Sequence, residues 1–264
     1  MQRYGTIAVS LILVAVLIVC CTCSRGEPLD GETGYLRLLL SDDASEVVAI
    51  NDFKSVIITV SGIGFQQGNE SGNWTEPENY VPWTGDLLDL IGTNATVIWD
   101  GYIAAGYYTE AFIYVSNVVG NLTPEAGDGQ VDILVPSDKS QITMPEIPFT
   151  VEGGAIVDFV FDIIVIKSVE SGQYLIMPQV AKSGPDQDYR VVDEDDSDGD
   201  IELKGTIVAI LDDTWTVSVG NEEWSVNVTE AETGGTPAIG LKAKIEGTIG
   251  ENNIISASKL KVED

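Results

Sequence analysis

Val157-Asp158-Phe159-Val160-Phe161-Asp162-Ile163-Ile164-Val165 decides the fold. Val157, Phe159, Phe161, Ile163 and Val165 alternate with Asp158, Val160, Asp162 and Ile164. A repeat of two belongs to a strand, whose successive side chains point to opposite faces. The same alternation recurs on either side. Leu36, Leu38 and Leu40 alternate with Tyr35, Arg37 and Leu39, and Val56, Ile58 and Val60 alternate with Ile57, Thr59 and Ser61. Tyr107, Thr109, Ala111, Ile113 and Val115 alternate with Tyr108, Glu110, Phe112 and Tyr114. Some of these runs are apolar on both faces, which predicts central strands of a sandwich. Turn formers punctuate them at Ser61-Gly62, Ala105-Gly106, Gly127-Asp128-Gly129, Gly153-Gly154 and Ser171-Gly172. No stretch repeats its apolar residues at helical spacing over a helical length. One short helical turn is expected at Asp86–Gly92.

Beyond residue 182 the pattern breaks. Ser183-Gly184-Pro185-Asp186 opens a polar run that ends in Asp193-Glu194-Asp195-Asp196-Ser197-Asp198-Gly199-Asp200. Such a run has little to bury, so residues 183–200 read as a self-repelling acidic linker. Five strands are then expected at 201–211, 215–219, 223–228, 241–249 and 254–262. Five strands in so short a unit predict a small closed barrel of the oligonucleotide/oligosaccharide-binding (OB) type, and closure removes exposed edges. The expected architecture is therefore all-β. A signal or anchor at 1–23 precedes an antiparallel β-sandwich at 32–182, the linker at 183–200 and an OB-like barrel at 201–264.

Composition limits the chemistry. The chain holds 42 acids against 13 bases, a formal net charge of -29. That surface repels phosphates and anionic headgroups, so nucleic acid is not an expected partner. It favours solubility and weak association with divalent cations. There is no histidine, and the three cysteines all lie within the first 23 residues. A Ser-His-Asp or Cys-His catalytic site and a His-type zinc site are thus ruled out, and the body has no disulfide. No cofactor is expected.

The first residues resemble an export signal. Arg3 precedes the apolar run Ile7–Val19, and Ser24-Arg25-Gly26-Glu27-Pro28 breaks it. The run is short for a spanning helix. Cysteines at its end resemble a lipoprotein signal, with Cys21, or else Cys20, as the lipidated residue. An uncleaved helical anchor and full secretion are the other outcomes. All three place the body outside the cytoplasm, and the first two hold it to the outer face of the cell membrane. Five of the eleven asparagines, Asn69, Asn73, Asn94, Asn121 and Asn227, open Asn-x-Ser/Thr triplets and are candidate glycosylation sites.

A family resemblance runs along residues 32–182. It rests on Gly34-Tyr-Leu-Arg-Leu-Leu-Leu-Ser-Asp-Asp43, Phe53-Lys-Ser-Val-Ile-Ile-Thr-Val60, Asp86-Leu-Leu-Asp-Leu90 and Ala105-Gly106-Tyr107-Tyr108. Val135-Pro136-Ser137, Pro148-Phe149-Thr150-Val151, Phe161-Asp162 and Tyr174-Leu-Ile-Met-Pro178 complete it. This part resembles the family known as domain of unknown function 4382. The resemblance implies exported, often lipid-anchored bacterial and archaeal proteins with a β-sandwich and no known activity. Ala44-Ser45 stand where family members often carry a proline. The C-terminal unit resembles a second family of small exported β-barrel modules through Gly205-Thr206, Ile245-Glu246-Gly247 and its strand spacing.

Three aromatics in the polar stretch 66–85, Trp74, Tyr80 and Trp83, are the candidate ligand-binding residues. Loop aromatics stack sugar rings or anchor protein interfaces, although they can equally fold back over the end of a sandwich. A calcium loop starting at Glu194, with Asp196 and Asp198, fails at its twelfth position, Gly205, where a bidentate Glu is required, so no metal site is expected. Asp158 and Asp162 could serve glycoside hydrolysis only across a cleft, and one strand face suits a structural or solvent-facing role better. The expected function is a non-catalytic surface module that binds a protein or glycan or scaffolds the envelope. The alternatives are a carboxylate-dependent enzyme acting on polysaccharide and a cation-dependent assembly module.

Overall fold

A computed structural model describes residues 33–42, 49–68, 74–137, 140–144, 147–192, 199–250 and 253–263. The N-terminal segment with Cys20 and Cys21, the triplets at Asn69 and Asn73, and residues 193–198 lie outside the described residues.

The chain is all-β. The sandwich strands are β1 Thr33–Ser41, β2 Phe53–Gln67, β3 Trp74–Thr75, β4 Trp83–Asp86, β5 Asn94–Ala104 and β6 Gly106–Leu122. They continue as β7 Gly129–Asp132, β8 Gln141–Met144, β9 Phe149–Val151, β10 Ile156–Lys167, β11 Tyr174–Pro178 and β12 Tyr189–Val191. A 3-10 turn, Leu87–Leu90, occupies the expected helical position, and the Asp86 side chain caps it by accepting from the Leu88 N–H.

The first sheet runs β11-β10-β1-β5, and β12 continues it beside β5. The second is built on β2 and β6, the longest pairing in the molecule, with β3 and β4 beside β2 and β7, β8 and β9 beside β6. Most pairs are antiparallel, but β1 runs parallel to β10 and β12 parallel to β5. The opening stretch is β10, and its odd residues Phe159, Phe161, Ile163 and Val165 point into the core. Leu36, Leu38 and Leu40 join them from β1, and Val56, Ile58, Val60, Ile63 and Phe65 face them from β2. Phe149 centres an aromatic cluster, stacked on Tyr108 at 5.1 Å and tilted against Phe159 at 4.9 Å.

The C-terminal strands are β13 Asp200–Leu211, β14 Thr214–Val219, β15 Glu222–Asn227, β16 Glu232–Gly234, β17 Lys242–Ile249 and β18 Ile254–Glu263. β13, β14, β15, β17 and β18 lie within about one residue of expectation. Pairing runs β13-β14-β15-β18-β17 and back to β13, so the ring closes, with β15 and β18 parallel. This is a five-stranded barrel around Leu203, Ile207, Val217, Val226, Ile245 and Ile255. Gly205 is required where β13 crosses β14: a Cβ there would stand 2.3 Å from the Ser218 carbonyl oxygen.

Residues 183–192 are not the solvated linker expected. Ser183 is 4% exposed, Tyr189 1% and Val191 9%. Tyr189 and Val191 pack on Leu39, Ala95 and Val160, the outward residues of the first sheet. The segment has apolar surface to bury after all, because two tightly spaced hydrophobics meet the apolar part of that face. β12 then pairs with both β5 and β13, which ties barrel to sandwich through backbone hydrogen bonds.

Candidate functional site

The outward face of the first sheet is the floor of the junction. Register places Tyr35 between Ile156 and Tyr102, Arg37 between Asp158 and Asp100, Leu39 between Val160 and Val97, and Ser41 between Asp162 and Ala95. Strands β13 and β17 cover the middle of this grid with Glu202 and Lys244.

A buried ion cluster joins the two bodies. Arg37 donates from Nη1 to Glu202 Oε1 at 2.7 Å and from Nη2 to Oε2 at 3.1 Å, a forked pair. Its Nη1 also lies 3.2 Å from Asp158 Oδ1. Lys244 Nζ donates to Asp158 Oδ2 at 2.9 Å and lies 3.2 Å from Glu202 Oε1. The Tyr189 hydroxyl donates to Asp158 Oδ2 at 2.6 Å. Burial pushes the Asp158 carboxyl up, but the charges of Lys244 and Arg37 and the Tyr189 hydrogen bond outweigh it and hold the group below the usual carboxylate range. Burial, followed by the charges of Asp158 and Glu202, pushes the Tyr189 hydroxyl up, so it remains a donor.

Further links flank the cluster. Lys204, 3% exposed, pairs with Glu263 at 2.6 Å and donates to the Pro185 carbonyl at 2.9 Å. Lys242 pairs with Asp188. Arg190 donates to Asn94 Oδ1 at 2.8 Å and stands over the Trp224 ring. Arg37, Arg190, Lys204, Lys242 and Lys244 are thus committed to one seam, in a chain with only 13 bases. Sequence reading missed this seam because Arg37, Asp158 and Glu202 look like ordinary outward residues. The available signal was their company: Leu39 and Val160 share their face.

Beside the cluster a groove of about 530 Å³ separates sandwich from barrel. Arg37 and Glu202 lie at it, and Asp200, Glu246, Thr248, Ser256 and Ser258 line the barrel side. At the uncovered end of the sheet Tyr102, 64% exposed, packs edge-on against Tyr35 at 5.1 Å. Tyr35 donates to Asp100, and that hydrogen bond leads the causes that push its hydroxyl up to about 12.

The three aromatics expected to bind ligand do not form one platform. Trp74 pairs beside Gln66 and Trp83 beside Val60 of β2, a separation of about 20 Å along the strand. Trp74 packs edge-on against Phe112 at 4.7 Å on the outer face of the second sheet. Tyr80 is half-buried against the core, and burial pushes its hydroxyl up to about 12. Trp83 lines a separate cavity of about 320 Å³ with Gly85, Asp86, Asp89, Leu90, Thr96 and Val192.

The described sequons differ in their freedom. Asn94 is held by Arg190 and donates to the Asp89 carbonyl at 3.0 Å, and Asn121 donates to Ser55 at 2.7 Å. Asn227 is exposed, and its Oδ1 accepts from both the backbone N–H and the hydroxyl of Thr229, at 2.9 and 2.6 Å. Among the described residues no group of three or more Cys, Asp or Glu is placed to hold a metal ion. Asp158 and Asp162 are both buried, Asp162 accepting from the Ser41 hydroxyl at 2.6 Å. They belong to the structure of the junction, and neither faces solvent.

No curated protein and no solved structure matches the chain. The model of one family, described as a domain of unknown function (DUF4382), matches residues 33–178. That span covers β1 to β11, the two sheets of the sandwich without β12, and is more than half of the sequence. The chain belongs to the DUF4382 family.

Proposed function

We propose that the protein is a non-catalytic binding or scaffolding module displayed outside the cytoplasm, in which sandwich and barrel act as one rigid body. The observation that carries this reading is the buried cluster of Arg37, Asp158, Glu202, Lys244 and Tyr189. Its charges cancel one another, and its geometry spans both bodies. The enzyme alternative needs a carboxylic acid held protonated near neutral pH, facing a second carboxylate across a cleft. The seam does the reverse to Asp158, which it holds ionised, and it ties Glu202 into a forked bond with arginine.

Anchoring at Cys21 or Cys20 rests on the apolar run Ile7–Val19 and the cysteines that end it. A protein so tethered would meet a surface protein or glycan. The acidic surface favours loose divalent cation association and disfavours nucleic acid. The test combines two readouts on the full chain. Incubation with a panel of envelope polysaccharides should release no new reducing ends, and crosslinking on intact cells should give one reproducible partner. Reducing-end release that disappears in a Glu246→Gln variant would establish the enzyme instead. Intact mass of the membrane fraction should show a lipid-modified cysteine, and an unmodified N-terminus would remove the lipid anchor.

A further inference from the structure

We infer that the mouth of the sandwich between β4 and β5 is a binding site for a single uncharged pyranose unit of a glycan. The inference rests on the binding reading above and names a ligand class for it. The cavity of about 320 Å³ lies where the edge of the second sheet and the first sheet part company, and Val192 lines it after β12. Its size is at the lower end for ligand pockets, which suits one ring and not a long chain.

The chemistry of the lining fits such a ring. Trp83 is pinned on its own strand: a Cβ at Gly85 would come within 2.4 Å of the indole Cζ2, so the glycine allows the ring to lie along β4. A fixed indole offers a flat, electron-rich surface to the axial C–H groups of a sugar at little entropic cost. Asp86 is fixed as well. Its Oδ1 accepts from the Val56 N–H at 2.8 Å and the Leu88 N–H at 3.1 Å, and its second oxygen retains acceptor capacity for a sugar hydroxyl. Asp89, exposed on the 3-10 turn, adds another carboxylate.

Thr96 completes the polar lining from the first sheet. It is 7% exposed and lines the cavity from β5, where its hydroxyl can both donate to and accept from a sugar hydroxyl. The two aspartates repel uronic acids, sialic acids and phosphorylated sugars, so the preferred ring carries no negative charge.

The experiment is saturation-transfer NMR with tryptophan fluorescence on the full chain. The probes are methyl glycosides of glucose, galactose, mannose and N-acetylglucosamine, with glucuronic acid as the charged comparison. At least one neutral glycoside should bind saturably and receive saturation on its ring C–H protons. Trp83→Ala should weaken it about tenfold, as loss of an aromatic stacking contact. Thr96→Val, close to isosteric and kept as a second variant in case Trp83→Ala fails to fold, should weaken it about fivefold. Trp74→Ala should leave it unchanged. Absence of binding by every neutral probe, equal affinity in Trp83→Ala and Thr96→Val, or tighter binding of glucuronic acid would each overturn the inference. New anomeric signals growing in the same tubes would instead overturn the non-catalytic reading, so the two failures are told apart.

Discussion

The two outer faces of the sandwich are built from similar alternating strands and end in opposite environments. On the second sheet the outward residues of β2 and β6 remain beside solvent. Thr59 bonds Thr84 across strands, and Tyr114 reaches Glu76. Phe112, the fully buried aromatic there, lies on Gly64 and is covered locally by Trp74. On the first sheet the outward residues Leu39, Val160, Asp158 and Asp162 are all buried, under β12 and the barrel. An acid in the outward phase of a strand is therefore no guide to exposure when its neighbours on that face are aliphatic. The charges are buried because a second body brings partners of opposite sign to them.

The largest expected effect breaks that contrast at its centre. Asp158→Ala leaves Arg37 and Lys244 short of a buried counter-charge and should cost about 3–5 kcal/mol in urea unfolding. Leu39→Ala, a truncation under β12, should cost about 3 kcal/mol by the same measurement. Thr59→Ala, the matching outward position on the uncovered sheet, should change stability by no more than about 0.5 kcal/mol. Lys54→Ala, which removes an exposed partner of Asp128, should leave the urea midpoint unmoved. If the Thr59 and Leu39 variants lose equal stability, the two faces are not different in kind.

Acidity sharpens the comparison. The carboxyl of Asp158 is held below its unfolded value, so its contribution is fully present above about pH 4 and disappears as pH falls through its lower folded value. Stability followed from pH 6 to pH 2 should fall on this limb, and Asp158→Asn should flatten it.

The barrel was legible in the sequence because β15 and β17 alternate and its turns carry glycine or aspartate, as at Asp212-Asp213 and Gly220-Asn221. The sandwich was legible from the inward residues of β1, β2 and β10. The seam was not, since nothing local to Arg37 or Glu202 announces a partner 165 positions away. Tyr189 and Val191 were hidden inside a run read for its charge. Trp83 stood out as an aromatic in a polar stretch, whereas its cavity needed Thr96 from another sheet, a proximity no spacing expresses.

The central claim is that sandwich and barrel form one rigid body, and a distance across the seam tests it most directly. Cys20, Cys21 and Cys23 can be replaced by serine, leaving a body without cysteine. Spin labels at Val169→Cys, fully exposed beyond β10, and Glu230→Cys, exposed beyond β15, then report on sandwich and barrel. Pulsed electron resonance should give a single narrow distance distribution that is unchanged between low and 0.5 M salt and broadens in Asp158→Ala. A broad distribution in the parent chain, or one that shifts with salt, would contradict the account.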